Sequence, residues 1–181
     1  MLTLLHNILR KTLLIFGICV WIISCNTTDT PDDALMSNGS FESGGSFSTS
    51  GWQTSGAASS SDVPTDGGSF SLRLNPQSVP GEGYALYRIS DLSGAQVLTI
   101  SGFIKSFGSW PGVITVQKED ADNTVTILAS ANSVDPGWVE KTLEISSTFN
   151  TGDELIIKLS AGSTEIPIDT KYALFDLITV E

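Results

Sequence analysis

Histidine and cysteine are nearly missing from this 181-residue chain, which contains one histidine, His6, and two cysteines, Cys19 and Cys25. His6 and Cys19 both lie in the first 24 residues, which have the features of a removable signal peptide. A folded chain without histidine cannot form a Ser-His-Asp triad, a Cys-His dyad or a histidine-bound zinc site. With one cysteine left it cannot form an internal disulfide, so its fold depends on its core or on a bound metal.

Positive charge is also scarce, because nine lysines and arginines stand against 20 aspartates and glutamates. Removal of residues 1–24 takes away Arg10 and Lys11, which leaves seven cations against 20 carboxylates and a net charge of −13. Nucleic acids and anionic membrane surfaces bind basic patches. We therefore predict no nucleic acid partner, and no contact with a membrane surface through the folded chain itself.

The first 24 residues resemble a lipoprotein signal peptide. A weakly basic start is followed by an apolar run, residues 12–23, that is too short to span a bilayer. Ser24 precedes Cys25, which has the place of an acylated N-terminal residue. We predict an exported protein, lipid-anchored through Cys25 to the outer membrane on its periplasmic or its surface side. An ordinary cleavage nearby and an uncleaved anchor are the alternatives.

The rest of the chain reads as a short tether and one all-β domain. Residues 25–37 are polar and are predicted to be a flexible tether. Beyond them no segment has helical spacing, and short apolar or alternating runs are separated by Gly, Pro, Asn and Asp. Eight such runs occur, at residues 70–74, 84–89, 97–104, 113–117, 125–129, 138–145, 155–159 and 172–180. They predict a two-sheet β-sandwich or jelly roll over residues 38–181.

The last predicted strand contains a carboxylate, Asp176, with apolar residues on both faces. Strict alternation would place Asp176 on the same side as Leu174 and Ile178. An ionised carboxylate without a partner is too costly to bury. Calcium is one partner that fits, since it takes carboxylate and carbonyl oxygens, and Glu42 is the natural second carboxylate. The alternatives are an Asp at the rim that accepts from loop amides, or a salt bridge to Lys171 or Arg88.

Several segments, in order, resemble the jelly-roll carbohydrate-binding modules of families 4, 9 and 22, which have the galactose-binding-like fold. These segments are NGSFE (38–42) with Gly51-Trp52, GSFSLR (68–73), YRI (87–89), LTISGFIK (98–105), Gly137-Trp138 and ALFDLI (173–178). The resemblance implies a galactose-binding-like β-sandwich that binds a polysaccharide or glycan. It also implies a structural calcium held by Glu42, Asp176 and loop carbonyls. The family often has a second acid beside the last-strand Asp, where this chain has Phe175 and Leu177.

Sugar recognition needs flat aromatic faces for the ring and planar polar side chains for its hydroxyls. Trp110, in the Gly/Pro loop SFGSWPG, is the first candidate, with a plug over the core as the alternative. Tyr84 and Trp52 are further candidates, each with a core position as the alternative. Arg73 and Gln117 lie on the polar sides of their strands, where ordinary solvated surface is the alternative.

These residues favour non-catalytic binding of a polysaccharide or glycan over two other functions. One is a protein-interaction or assembly module of a cell-envelope complex, whose partners would be envelope proteins. The other is a small glycoside-active enzyme, which needs two carboxylates set across a cleft. No spacing among the acidic residues singles out such a pair.

Overall fold

The computed structural model describes residues 35–75, 83–108, 110–161 and 171–181. The predicted signal peptide, Cys25 and most of the predicted tether lie outside the described residues. Within the described ranges, no helix is long and apolar enough to cross a membrane.

Twelve β-strands are present in these ranges, and all eight strands predicted from the sequence are among them. They are β1 (Glu42–Ser43), β2 (Ser46–Phe47), β3 (Trp52–Ser55), β4 (Ala57–Ser60), β5 (Ser71–Leu74), β6 (Gly83–Ile89), β7 (Gly94–Phe107), β8 (Gly112–Glu119), β9 (Val125–Ser133), β10 (Val139–Phe149), β11 (Glu154–Ala161) and β12 (Tyr172–Val180). The four strands that the sequence did not predict, β1 to β4, are two to four residues long and rich in Ser and Ala, and Thr54 is their one β-branched residue, so the pattern that marks a strand is weak.

The strands form a small β1–β2 hairpin and two five-stranded sheets. We call the sheet with strand order β3-β6-β11-β8-β9 the front sheet, and the sheet with strand order β10-β7-β12-β5-β4 the back sheet. All their strand pairs are antiparallel. The predicted all-β sandwich is therefore confirmed.

The core lies between the sheets and follows the alternation of the strands. Leu72, Ile104 and Phe175 from the back sheet and Ile114 and Ile157 from the front sheet are all at most 1% exposed. On β10 the odd-numbered positions are buried or half-buried and the even-numbered positions are exposed. The outer faces of the two sheets are therefore the surfaces on which a site can be built, except at the central strand β11, where Ile156 and Ser160 on the outer side are also buried.

The folded domain includes residues that were predicted to belong to the tether. Met36 is 8% exposed and is part of the hydrophobic core, with Leu35 packed against it. The backbone amide of Ser37 donates a hydrogen bond to the Tyr87 hydroxyl at 3.0 Å, and the two hydroxyls are hydrogen-bonded to each other at 3.1 Å. The packed chain therefore starts no later than Leu35, three residues before the predicted boundary.

A bulge in β12 interrupts the alternation of side chains that the sequence predicted for that strand. Its pairing with β7 shifts between Asp176 and Thr179, and Leu177 adopts a left-handed conformation with φ 49°. Phe175 and Ile178 both reach the core as a result. The prediction that Leu174, Asp176 and Ile178 share one side is therefore wrong, because the bulge reverses the strand after Asp176.

Candidate functional site

The outer face of the front sheet holds two of the predicted sugar contacts, Tyr84 and Gln117. On β6, Tyr84 alternates with Ala85, which is fully buried in the core. On β8, Gln117 follows Val116, which is also fully buried. Both side chains therefore belong to the face that points away from the core. We call this surface the front face.

Strand register arranges the front face in rows across the sheet. Tyr84 lies opposite Ser55 on β3 and opposite Ser160 on β11. Ser160 is in turn opposite Val113, and Val113 is opposite Asn132 on β9. We call this set, Ser55, Tyr84, Ser160, Val113 and Asn132, the Tyr84 row. It crosses all five strands, with the Ser55 hydroxyl on one side of the Tyr84 ring and the Asn132 amide on the other, beyond the buried Ser160.

A second row contains Gln117. Arg88, Ile156, Gln117 and Ile127 are opposite one another on β6, β11, β8 and β9. Arg88 is four residues from Tyr84, so the two rows are roughly 13 Å apart along the strands. Tyr84 and Gln117 are thus on one face but too far apart to contact a single sugar ring.

Arg88 is held in place by two carboxylates at one end of the front face. Its Nη1 donates to Glu119 Oε2 at 2.9 Å and to Glu154 Oε2. The hydrogen bonds to Glu154 and then Glu119 raise the pKa of Arg88 above its ordinary value. The guanidinium therefore stays charged and oriented, and the two acids are engaged in an ion pair.

Exposure varies strongly across the front face. Ile156 is 3% and Ser160 is 6% exposed on the central strand, while Ile127 on the edge strand β9 is 64% exposed. Tyr84 and Gln117 are half-buried between these extremes. Tyr84 is the only aromatic side chain that the described part of the chain places on this face.

Trp52 is not on this face, and its predicted sugar contact is wrong. The side chain is 7% exposed and belongs to the core, as the alternative had it. Its ring centroid lies 5.2 Å from that of Phe41 and 5.2 Å from that of Tyr87. The indole Nε1 donates to the carbonyl of Asn38 at 3.1 Å. The ring is therefore packed against other aromatic side chains of the protein, and its N–H group already has a hydrogen-bond acceptor.

Trp110 is also buried, contrary to the prediction of an open loop aromatic. It is 7% exposed, and the Lys171 ammonium lies 4.8 Å from its ring centroid. A ring covered in this way offers no flat face to a sugar. The plug alternative accounts for this position, because a large apolar side chain in a loop is stabilised by tucking it down.

Arg73 is on the opposite side of the molecule from Tyr84 and Gln117. It belongs to β5 of the back sheet, where its guanidinium lies 4.0 Å from the centroid of the Tyr172 ring. Tyr172 stacks on Phe107 with centroids 4.3 Å apart. The Arg73 Nε donates to Asn75 Oδ1 at 2.7 Å. The structure therefore does not bring Arg73 together with the front-face candidates.

The predicted metal ligands Glu42 and Asp176 do come together, on the outer side of the back sheet. The backbone amides of Ser69 and Phe70 donate to Glu42 Oε1, the latter at 2.6 Å. A Cβ placed on Gly67 would lie 2.6 Å from Asp176 Oδ2, and one on Gly68 would lie 2.5 Å from Glu42 Oε1. Gly67 thus lies against the Asp176 carboxylate, and Gly68 lies against the Glu42 carboxylate.

The segment that carries these glycines is fixed across the back sheet by Asp62. This carboxylate accepts from Lys105 Nζ at 2.6 Å and from Trp138 Nε1 at 3.0 Å. Its backbone carbonyl accepts from the Ser71 hydroxyl at 2.6 Å. Trp138 therefore has a structural role. The segment from Asp62 to Phe70 covers this part of the back sheet, which explains why Asp176 is buried although it lies on the outer face.

Asp176 is fully buried and only half satisfied by the described residues. Its Oδ1 accepts from the Leu177 amide at 2.8 Å, but Oδ2 is buried without a hydrogen-bond partner. Burial, against the opposing effect of the Leu177 amide and with a smaller contribution from the negative charge of Glu42, raises the pKa of Asp176 to about 7. Neither sequence alternative applies, because a fully buried Asp is not at the rim and no ion pair among the described residues joins Asp176 to Lys171 or Arg88.

An orphaned carboxylate oxygen beside a second carboxylate fits a hard cation. The described residues contain no group of three or more His, Cys, Asp or Glu side chains suited to a metal. Further ligands would therefore be backbone carbonyls or water, which calcium accepts readily.

No protein-family model and no curated protein matches the sequence. Among solved structures, the CBM22-1 xylan-binding domain of Paenibacillus barcinonensis Xyn10C matches with a TM-score of 0.56 and 20% identity over 82% of this chain and 94% of that one. A family 4 carbohydrate-binding module matches with a TM-score of 0.51 and 18% identity over 80% and 97% of the two chains. TmCBM61, solved with β-1,4-galactotriose, matches with a TM-score of 0.50 and 15% identity over 82% and 97%. The chain therefore has the two-sheet jelly-roll fold of carbohydrate-binding modules.

Proposed function

We propose that this chain binds a polysaccharide or glycan, without catalysis, on the front face. The observation that carries the proposal is the Tyr84 row, in which a half-exposed aromatic ring is in line with hydroxyls and an amide on a jelly-roll sheet. The fold supports it, since a similar structure is described as a xylan-binding domain.

The row supplies the two kinds of contact that a sugar needs. The Tyr84 ring packs against the C–H groups of a pyranose, and Ser55 on the neighbouring strand exchanges hydrogen bonds with its hydroxyls. Asn132, three strands from Tyr84, exchanges hydrogen bonds with another unit. Gln117 and the fixed Arg88 contact a more distant unit, because their row is roughly 13 Å away. Binding is therefore spread over several sugar units and needs no single deep pocket.

Affinity electrophoresis of the mature chain on a panel of polysaccharides that includes xylan and β-1,4-galactan tests this proposal. We expect at least one polysaccharide to retard the wild-type chain and Tyr84→Ala to lose most of that retardation. Thr142→Ala is the matched control, because Thr142 is exposed on the back sheet. Absence of retardation on every polysaccharide would overturn the proposal.

We further propose a structural calcium held by Glu42 and Asp176. The buried, unpartnered Asp176 Oδ2 supports it, because a cation would supply the charge that this oxygen lacks. When bound, the ion stabilises the segment over the back sheet and takes no part in sugar binding.

We also propose that the protein is an exported lipoprotein anchored through Cys25 to the outer membrane. The apolar run at residues 12–23 and Ser24 before Cys25 support this. Cys25→Ala should release the protein from the membrane fraction of the expressing cell. Retention of the variant in that fraction would contradict lipidation at Cys25.

One observation favours a second function, contact with an envelope protein. Burial of Trp52 and Trp110 removes two of the expected sugar contacts, while Val125 and Ile127 on β9 are 50% and 64% exposed. A photo-crosslinking residue at position 127 should then capture one envelope protein that the same residue at position 142 does not. Glycan retardation without such a product would rule out this function.

A further inference from the structure

The β9 edge of the front sheet differs from the other three edges of the two five-stranded sheets. A sheet edge exposes unpaired N–H and C=O groups, and proteins protect such edges by keeping the strand short or by placing charges on it. β3 and β4 have four residues each, and β10 carries Glu140, Lys141 and Glu144. β9 has nine residues and contains neither a charged residue nor a proline. It therefore has neither form of protection.

Exposed apolar side chains are concentrated along this edge. Four large apolar residues are exposed in the described ranges. Three of them, Val125, Ile127 and Val134, are on β9 or directly after it, with exposures of 50%, 64% and 59%. The fourth, Val97, is on β7 inside the back sheet. Apolar side chains exposed along an unpaired strand favour contact with another chain.

The backbone of β9 is paired on one side only. Its register with β8 runs from Val125 to Ser133, and one bulge leaves Leu128 without a partner on β8. Leu128 packs against the core, so its side chain does not cover the free edge. No strand among the described residues lies on the far side of β9. The outward N–H and C=O groups of a strand about 30 Å long are therefore open for pairing.

A second copy of this chain is the partner that suits such an edge. β9 has no charge with which to select a partner of opposite sign, whereas its small hydroxyl and apolar side chains are compatible with a copy of themselves. A two-fold axis perpendicular to the sheet makes two β9 strands antiparallel, as are all strand pairs within the front sheet. This pairing uses both free edges, so assembly ends at two copies.

The size of the contact is sufficient for a dimer. The side of the sandwich that carries β9 is about 30 Å long, and two sheets about 10 Å apart with their outer side chains make it roughly 20 Å wide. Two such sides facing each other bury roughly 1,200 Å² in total, the lower limit for a specific, stable interface. The net charge of −13 on each mature chain opposes this contact at long range, so the dimer is reversible.

We propose that two copies of this chain associate through their β9 strands, which pair antiparallel and join the two five-stranded front sheets into one continuous sheet. The proposal does not depend on glycan binding, and either can fail without the other. It assigns Val125 and Ile127 to a contact between copies, so an envelope protein bound at the same residues would contradict it.

Sedimentation velocity of the mature chain with Cys25→Ala, which removes the site of lipidation and the free thiol, tests the proposal. We expect the dimer fraction to rise with protein concentration and with ionic strength, because salt screens the repulsion between the acidic copies. Ile127→Lys should weaken dimerisation at least about tenfold, since it puts one lysine from each copy into the paired edge. Val97→Lys is the matched control, because it makes the same change of charge away from β9, and it should alter the dimer less than about twofold.

A cysteine scan locates the contact without adding charge. Single cysteines placed along β9 in the Cys25→Ala chain should form disulfides between copies most readily near the two-fold axis and less readily on both sides of it, because only residues near the axis lie opposite themselves. Val97→Cys should form none. Equal melting temperatures show that each variant is folded.

Three results would overturn the proposal. The first is a monomer at every concentration and ionic strength. The second is a dimer that Ile127→Lys leaves intact, or one that no cysteine on β9 cross-links. The third is a photo-crosslinked product at position 127 that contains an envelope protein instead of a second copy. None of these results changes the retardation of the chain by a polysaccharide, which tests the proposed function separately.

Discussion

Asp176 is the residue whose surroundings are least satisfied. It is fully buried, one of its oxygens has no hydrogen-bond partner among the described residues, and a second carboxylate is close by. Such a group must bind a cation, keep its proton, or destabilise the fold. Two measurements distinguish these states.

The first prediction concerns calcium itself. At a calcium concentration 100-fold above Kd, the bound ion should stabilise the folded state by about 2.7 kcal/mol, because it binds the native chain alone. The melting temperature of calcium-loaded protein should therefore fall on addition of EGTA. Asp176→Asn and Glu42→Gln should each lose this response, whereas Glu140→Gln, an exposed carboxylate on β10, should keep it. An unchanged melting temperature in EGTA would count against both ligands.

The second prediction concerns pH in the absence of metal. The pKa of Asp176 is about 7 in the folded chain and about 4 in the unfolded chain, so the folded state holds this proton more tightly. The contribution of protonated Asp176 to the free energy of unfolding is fully present below about pH 4 and is lost as the pH rises toward 7. In EGTA, the free energy of unfolding should therefore be lower at pH 7.5 than at pH 5.

Asp176→Asn is the control for that pH effect, since it removes the titrating group and should flatten the difference. Asp153 and Asp122 have pKa values lowered by hydrogen bonds, first from the Asn150 amide and from Thr124 respectively. Stability from these two is lost only as the pH falls below about 4, outside the measured window. A wild-type chain more stable at pH 7.5 than at pH 5 would contradict the assignment.

At the residue scale, the sequence predicted the proximity of Glu42 and Asp176 better than the exposure of the aromatic side chains. Asp176 stands out because a carboxylate in an apolar strand needs a partner, and the first-motif Glu42 was correctly paired with it. Trp52 and Trp110 were misjudged because their burial depends on Phe41, Tyr87 and Lys171, which are distant in sequence. The composition of a Gly/Pro loop does not reveal whether its aromatic side chain turns outward or inward.

At the scale of elements, β12 shows how one residue redirects a strand. Leu177 in the left-handed region moves Ile178 into the core and leaves Asp176 outside it. The Ile178 amide then donates to the Gly39 carbonyl at 2.9 Å, so the NGSFE motif is attached directly to the last strand. Eight strands were predictable because β-branched and aromatic residues mark them. The bulge was not, since Leu carries no signal for a positive φ.

This attachment predicts the effect of a small substitution. A Cβ on Gly39 would lie 1.8 Å from the Ile178 carbonyl oxygen, which belongs to the backbone and cannot rotate away. Gly39→Ala should therefore lower the free energy of unfolding by roughly 1–3 kcal/mol in urea denaturation. Gly44→Asn is the matched control, because nothing lies within 4 Å of that position and Asn tolerates its φ of 59°. Equal stability of Gly39→Ala and the wild type would show that the segment is not held against β12.

At the scale of the whole molecule, the position of the domain boundary can be tested by truncation. Met36 contributes to the core, and its loss should cost about 2 kcal/mol or more, as for other buried Met side chains. A chain that begins at residue 38 should melt at a lower temperature than one that begins at residue 33, and Met36→Ala in the longer chain should account for most of the difference. Equal melting temperatures of the two chains would show that residues 35–37 do not contribute to the stability of the folded domain.

The overall architecture was predictable from the sequence, whereas the position of a binding surface was not. Alternating runs, turn residues and the order of the family-like segments suffice for a two-sheet sandwich. Which sheet carries which residue depends on strand order, and that order places Arg73 on the back sheet and Tyr84 and Gln117 on the front sheet. Strand order is set by pairings between distant segments, such as β6 with β11, which local patterns do not encode.

The first residues of the folded domain also set how it bears mechanical load. The Ser37 amide is hydrogen-bonded to the Tyr87 hydroxyl on β6 of the front sheet, and the Gly39 carbonyl accepts from the Ile178 amide on β12 of the back sheet. Tension applied from the N-terminal side of the chain is thus divided between both sheets within three residues. β12 lies between β7 and β5, so it cannot peel away as an edge strand would. Force applied at residues 37–39 is therefore resisted by both sheets, while force applied to the edge strand β9 meets only one paired neighbour.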